Sequence, residues 1–481
     1  MSILHGLEPQ KMFDHFERIC AIPHGSGNMN AIADYVESFA AERGFEHYRD
    51  EANNVIIISE ATSGRENDPA LILQGHMDMV CATDDVTDFD FKTQGIDITV
   101  EDGFVHANGT SLGGDDGVAV AMMLALLEDG QLSHPRLECV FTTDEETGLI
   151  GANALDVSHL RGKRLINLDS EEEGVITTGC AGGISLIADL PAEFETITGK
   201  TYRLTVQGLV GGHSGTEIIE QHANANKVLG RVLNALQRRA DLRLSRADGG
   251  FFDNAIPRKA EAVFTSECEP DTLASAVSEI AAEIKNEYSS ADPDLTVTLT
   301  PEGVSECAVL LPKEQKRLLF ALYQVPDGII RMCDELDDMV ETSTNLGILK
   351  LDGYGMKLVF MLRSMVNSAA RELETRMASL FEFAGGSATV HSSYGAWEFR
   401  QDSPLRDHCV AVYESMYGER PTVGTIHAGL EAAVIAEKLG DADCVSLGPT
   451  LYDVHTANER LDICSASRVY DYVKQLIERN F

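Results

Sequence analysis

"GVAVAMMLALLEDGQLSHPRLECVFTTDEETG", residues 117–148, carries a helical pattern, then a strand, then three consecutive acids. The helical part is 117–129 and the strand is "LECVFTT" at 137–143. Comparable apolar strands are expected at "NVIIIS" (54–59), "ALILQGH" (70–76) and "RLINLD" (164–169), with helical segments between them. Near-continuous apolar strands separated by helices imply an α/β fold with a mainly parallel sheet covered on both faces. Such sheets bind ligands beyond the carboxyl ends of their strands. His76, Glu145 and Asp169 each stand at or just past such an end.

With 481 residues, 44 % of them hydrophobic, the chain is too long for one ordinary core, and two or more domains are expected. From about residue 185 the pattern changes to strands flanking long amphipathic helices, such as 202–210, 222–239 and 260–266. After about 390 the first pattern returns, with helices near 404–417 and 429–438, a strand at 444–449 and a last helix near 465–480. A domain of residues 1–184 and 391–481, split by an inserted α+β domain of residues 185–390, is the organisation this implies. "GCAGG" (179–183) reads as a hinge or strand entry between the two. Within the insert, 254–266 resembles 345–364, and each precedes a helix. That pairing suggests two repeated halves.

Composition excludes several classes. A formal net charge of -39 argues against nucleic acid or an anionic membrane as partner. No apolar run is long enough for a membrane span. The N-terminus lacks the basic-then-apolar order of a secretion signal, so a cytoplasmic protein is expected. The 10 cysteines include no C-x-x-C pair and read as reduced thiols.

Chemistry concentrates in short polar motifs. In "QGHMDMV" (74–80), His76 and Asp78 leave the strand end on the same side. A metal-binding imidazole commonly donates its second N–H to a carboxylate, and Asp78 is placed to accept it. A polar pair in a solvated loop would look the same. In "LGGDDGVAVAM" (112–122), Asp115 and Asp116 open a helix, where an acid is an ordinary cap. Two consecutive acids need only one cap, which leaves Asp115 as a candidate bridge between two cations. Asp169 ends a buried-looking strand, where an unpaired carboxylate is costly. Glu171–Glu173 beyond it read as a solvated turn. His455 stands in a loop before the last helix, and a lone histidine there is usually structural or exposed. Together, His76, Asp115, Glu146, Asp169 and His455 match the ligand preference of zinc, with manganese or cobalt as alternatives. If one carboxylate bridges, each metal has three protein ligands and an open position, a catalytic pattern.

The ordered series H-M-D, G-G-D-D-G, D-E-E-x-G, N-L-D, G-G-H-S-G and a late histidine resembles the M20 family of co-catalytic zinc peptidases. Within that family the chain is similar to the aminoacyl-histidine (Xaa-His) dipeptidases over its whole length. The resemblance implies a parallel-sheet catalytic domain interrupted by a lid domain, and two Zn2+ per chain. One metal would be held by His76, Asp115 and Asp169, the other by Asp115, Glu146 and His455. Asp78 would orient His76, and Glu145 would be the general base toward a water bridging the metals. His213, in "GLVGGHSG" (208–215), would donate to the oxyanion. Arg363 would grip the substrate carboxylate, and Asn254 would touch substrate. The implied substrate is a small dipeptide such as β-Ala-His. A homodimer is compatible with the series but not required by it, because a duplicated insert could stand in for a partner's lid. The competing readings are an N-acyl amino acid amidohydrolase and a catalytically inactive metal-binding scaffold. The scaffold reading would need Glu145 or a ligand to be missing, and all are present. Asp144 has no assigned role beyond a structural one.

Overall fold

The computed structural model describes residues 2–334 and 338–479. It divides into two compact units, which change over between Gly179 and Cys180 and again between Glu398 and Phe399. Ile426–Gly429 belongs with the second unit, and the chain from Leu430 onward belongs with the first.

The first unit is built on an eight-stranded sheet. Edge to edge its strands are Glu46–Arg49, Val55–Ser59, Leu137–Thr142, Leu71–His76, Arg164–Asn167, Asp443–Ser446, Val175–Cys180 and Thr422–Ile426. The four central strands, from Leu137–Thr142 to Asp443–Ser446, run parallel. These are the near-continuous apolar runs of the sequence, and all but one of the residues in them are buried. Antiparallel strands extend the sheet on both sides. The helix Gly114–Leu127 is buried along its whole length, as expected of a helix apolar on every side. It packs on the helix Gln10–Cys20, which contributes Met12, Phe13, Phe16 and Ile19 to the same core. A smaller sheet pairs the hairpin Ile98–Glu101 and Phe104–Ala107 with the hairpin Leu451–Tyr452 and Arg460–Asp462. His455 lies in the loop of that second hairpin.

The second unit is a nine-stranded sheet in which every described pairing is antiparallel. It consists of two copies of one β-α-β-β-α-β arrangement. In the first copy the strands, in chain order, are Phe194–Gln207, Leu242–Gly249, Ala260–Ser266 and Thr296–Leu310, with helices Ala225–Leu236 and Pro270–Glu287. In the second they are Gly182–Pro191, Val340–Asp352, Gly355–Ser364 and Ser387–Tyr394, with helices Pro312–Gln324 and Asn367–Phe383. Each copy has the spatial order fourth, first, third, second strand, and the two second strands pair with each other. The extra strand Gly328–Met332 pairs beside Val340–Asp352. Leu229, Leu233, Ile280, Ile284, Leu318, Leu322, Met377 and Phe381 bring all four helices into one buried cluster.

Candidate metal centre

Three of the parallel strands deliver the polar residues of the first unit. His76 is the last residue of Leu71–His76 and lies in register with Thr142, the last residue of Leu137–Thr142. Asp169 follows Arg164–Asn167 by two residues. The backbone leaves Thr142 in a tight reversal. Gly148 and Leu149 N–H groups donate to the Glu145 carbonyl (2.9 and 2.8 Å), and Gly151 N–H donates to the Thr143 carbonyl at 2.9 Å. A Cβ at Gly151 would lie 2.2 Å from that carbonyl oxygen, so only glycine fits there. This turn brings Glu145 and Glu146 to the same side, where each offers a ligand atom within 4.8 Å of the others in a group with His76. Asp144, at φ +50°, faces elsewhere and accepts from the Gly27 N–H at 2.6 Å. Its role is to tether the turn.

Asp115 is at the centre of the arrangement. One carboxylate oxygen is 3.1 Å from His76 Nε2, and the other is 3.0 Å from His455 Nε2. Glu146 Oε1 lies 3.0 Å from the same His455 nitrogen, and Asp169 Oδ1 lies 3.6 Å from His76 Nε2. All five residues expected as ligands are therefore brought together, with Asp115 between the two imidazoles. Asp78 touches His76 differently from the expectation. His76 Nδ1 is 3.0 Å from the Asp78 main-chain carbonyl and 3.4 Å from its carboxylate. That carboxylate accepts from Ser26 Oγ at 2.8 Å and from the Glu145 N–H at 3.0 Å. Asp78 thus contacts both the His76 ring and the backbone of the acidic turn.

Three further buried acids stand at the site, of which the sequence marks only Asp116, as a helix cap. Asp116 accepts from the His76 main-chain N–H at 3.2 Å. A Cβ at Gly75 would lie 2.5 Å from its carboxylate, so this close approach requires glycine. Glu431 opens the helix Glu431–Leu439 and accepts from Gln74 Nε2 at 2.6 Å and from the Thr142 hydroxyl. Burial pushes its carboxyl up to about 8. Glu459 is 3 % exposed and sits in the hairpin loop four residues after His455. Each of the three reads in sequence as an ordinary solvated or capping acid.

The electrostatics of this donor set call for cations. Asp78, Asp115, Asp116, Glu145, Glu146 and Asp169 are gathered around two imidazoles. Burial raises the Asp169 carboxyl to about 6, and burial with Asp169, Glu146 and Glu431 nearby raises Glu145 well above its ordinary range. Burial works against a charged His455, but Asp115 and Glu146 outweigh it and lift the imidazole to about 11. Burial likewise opposes a charged His76, and Asp115, Asp169 and Asp78 overcome it. Without metal, protons held on Glu145 and on the two imidazoles offset part of this negative charge, and divalent cations would displace them. Oxygen-rich ligands with two imidazoles suit zinc, manganese or cobalt.

The remaining expected residues lie in the second unit. His213 forms the short strand Gly212–His213 against Ala255–Ile256. Its Nε2 is 3.2 Å from Arg363 Nη2, and Arg363 Nη1 donates to the Tyr394 hydroxyl at 3.0 Å. Arg363 is 4 % exposed. Among the described residues no carboxylate lies within ion-pair distance of it. A buried guanidinium without a counter-charge is costly, and an anionic ligand group would offset that cost. His427, kept uncharged by burial and by Arg363 and His213, holds at about 3. Asn254 is exposed, and its carbonyl accepts from the Ser214 N–H at 2.8 Å.

Residues 72–479 match the model of peptidase family M20/M25/M40. The cytosol non-specific dipeptidase of Escherichia coli (strain K12) is 35 % identical over 481 residues, covering 99 % of each chain. The crystal structure of aminoacylhistidine dipeptidase from Vibrio alginolyticus superposes with a TM-score of 0.88 at 35 % identity, covering 100 % of this chain and 99 % of that one. Aminopeptidase PepT from Bacillus cereus shares the fold at a TM-score of 0.57 and 16 % identity, over 98 % of both chains.

Proposed function

Because the chain belongs to peptidase family M20/M25/M40, we propose that it is a metal-dependent dipeptidase acting on Xaa-His dipeptides such as β-Ala-His. The observation that carries this reading is the Asp115 carboxylate lying between His76 and His455, each within 3.1 Å. End-to-end similarity to a dipeptidase supports the substrate class. A cytoplasmic setting accords with the name of the Escherichia coli relative. Among the described residues no helix is long and apolar enough to cross a membrane.

In this reading His76, Asp115 and Asp169 hold one cation, and Asp115, Glu146 and His455 hold the other. Zinc is the first candidate, and manganese or cobalt are substitutes. Bound divalent cations supply an acidified water and polarise the scissile carbonyl. Glu145 takes the proton from the attacking water and returns it to the leaving amine. Asp78 fixes the His76 ring and, through the Glu145 N–H, the position of the base. His213 donates to the oxyanion, Arg363 pairs with the substrate's terminal carboxylate, and Asn254 contacts substrate.

The direct test compares Gly-His and β-Ala-His with N-acetyl amino acids, with and without a chelator. Dipeptide hydrolysis is expected, lost on chelation and restored by Zn2+ or Mn2+. Hydrolysis of the acyl substrates alone would replace the dipeptidase reading with an amidohydrolase. Full activity in chelator would remove the cations from the mechanism. For His213, replacement by alanine should lower kcat by about 10²–10³-fold, the usual loss of an oxyanion donor, at unchanged metal content. Loss of metal at unchanged kcat per bound cation would contradict that role.

A further inference from the structure

The chain enters the helix Gly114–Leu127 through non-helical backbone at Asp115 and Asp116, so the N–H groups of this entry are not taken up by regular helix bonding. The first N–H groups of a helix need acceptors from outside it. Its N-cap is Gly113, which has no side chain to offer, and no side-chain cap bond is made there. Asp115 and Asp116 would be the local candidates. Asp115 instead faces His76 and His455, and Asp116 accepts from the His76 N–H.

The acceptor comes from 344 residues further along the chain. Glu459 Oε2 accepts from Leu112 N–H at 2.8 Å and Gly113 N–H at 3.1 Å. Its Oε1 accepts from Gly114 N–H at 2.8 Å and Asp115 N–H at 3.2 Å. Four consecutive N–H groups thus converge on one buried carboxylate, a nest suited to an anion. Glu459 lies in the same hairpin loop as His455, between Leu451–Tyr452 and Arg460–Asp462. The Arg460–Asp453 ion pair closes that loop. A single side chain therefore ties the loop carrying Asp115 to the loop carrying His455.

We infer that Glu459 is a positioning residue of the two-cation centre. By taking the four N–H groups it leaves the Asp115 carboxylate free to bridge, and it fixes the separation of Asp115 from His455. The inference rests on the two-cation reading of the site. A carboxylate is required because all four partners are donors. A glutamine would offer one oxygen and turn its NH2 group toward two N–H groups. An aspartate keeps both oxygens but is one methylene shorter and cannot reach all four.

The test measures Zn2+ affinity of the full chain by competition with a chromophoric chelator, for wild type, Glu459→Gln, Glu459→Asp and Asp115→Asn. Glu459→Gln is expected to weaken binding about 10–100-fold, the range for residues that orient metal ligands. Glu459→Asp should fall between it and wild type. Raising free Zn2+ should restore kcat in both with KM unchanged, which a merely structural defect would not allow. Melting of the cation-free protein separates a loss of fold from a loss of affinity. If Glu459→Gln does not fold, Glu459→Asp is judged by the same criterion. Wild-type affinity in the folded Glu459 variants, with affinity lost in Asp115→Asn, would overturn this inference alone. Wild-type affinity in Asp115→Asn as well would overturn the two-cation reading beneath it.

Discussion

Glu145→Gln is expected to retain its full complement of cations and to lose turnover by about 10²–10⁴-fold, the range for a removed general base. The substitution keeps the size of the side chain and the N–H that donates to Asp78, so the turn should survive. What it removes is the group that accepts a proton. The environment of Glu145 suits that task, because burial and the neighbouring carboxylates favour its protonated form. Divalent cations nearby would act in the opposite direction and favour the ionised, proton-accepting form. The geometry also admits a rival role. Glu145, Glu146 and His76 present ligand atoms within 4.8 Å of one another, so Glu145 could itself bind a cation. Measuring metal content together with kcat decides between the two. Metal lost along with activity would make Glu145 a ligand, and near-normal turnover would remove it from the chemistry.

The parts of this molecule that were legible in sequence depend on local pattern. Apolar runs marked the four parallel strands, and His76 and Asp169 could be located because they stand where those runs stop. The edge strand Glu46–Arg49 escaped notice because it is half-exposed and carries no such run. The repeat in the second unit was visible only as a short likeness between 254–266 and 345–364. Its period is broken in the chain, since Gly182–Pro191, the first strand of the second copy, precedes the whole first copy. The supporting acids were hidden for a related reason. Glu431 reads as an acid opening a helix, and Glu459 reads as a loop acid. Their partners, Gln74 and Thr142 for one and residues 112–115 for the other, lie hundreds of residues away. Asp78 shows the limit within a motif. Its spacing from His76 was readable, but its carbonyl as the nearer acceptor and its carboxylate as the anchor of the acidic turn were not.

Asp115→Asn should have the broadest effect of any single replacement, because one side chain serves both halves of the centre. An asparagine has the same shape but one oxygen, and it carries no charge. It can face His76 or His455 as an acceptor but not both, so each cation would be left with two charged or imidazole ligands and at most one weak amide oxygen. Zinc affinity is expected to fall at both positions by on the order of 100-fold or more, beyond the usual effect of residues that only orient ligands. Turnover at ordinary zinc concentrations should be lost with it. In the cation-free protein the same change should cost stability, since burial favours a neutral Asp115 but the two imidazoles hold it ionised. Equilibrium dialysis followed by metal analysis gives the decisive number. Two cations per chain in wild type and fewer than one in the variant, at the same free zinc, would establish the bridge. One cation retained at wild-type affinity would confine Asp115 to a single site, and two retained would exclude it from both.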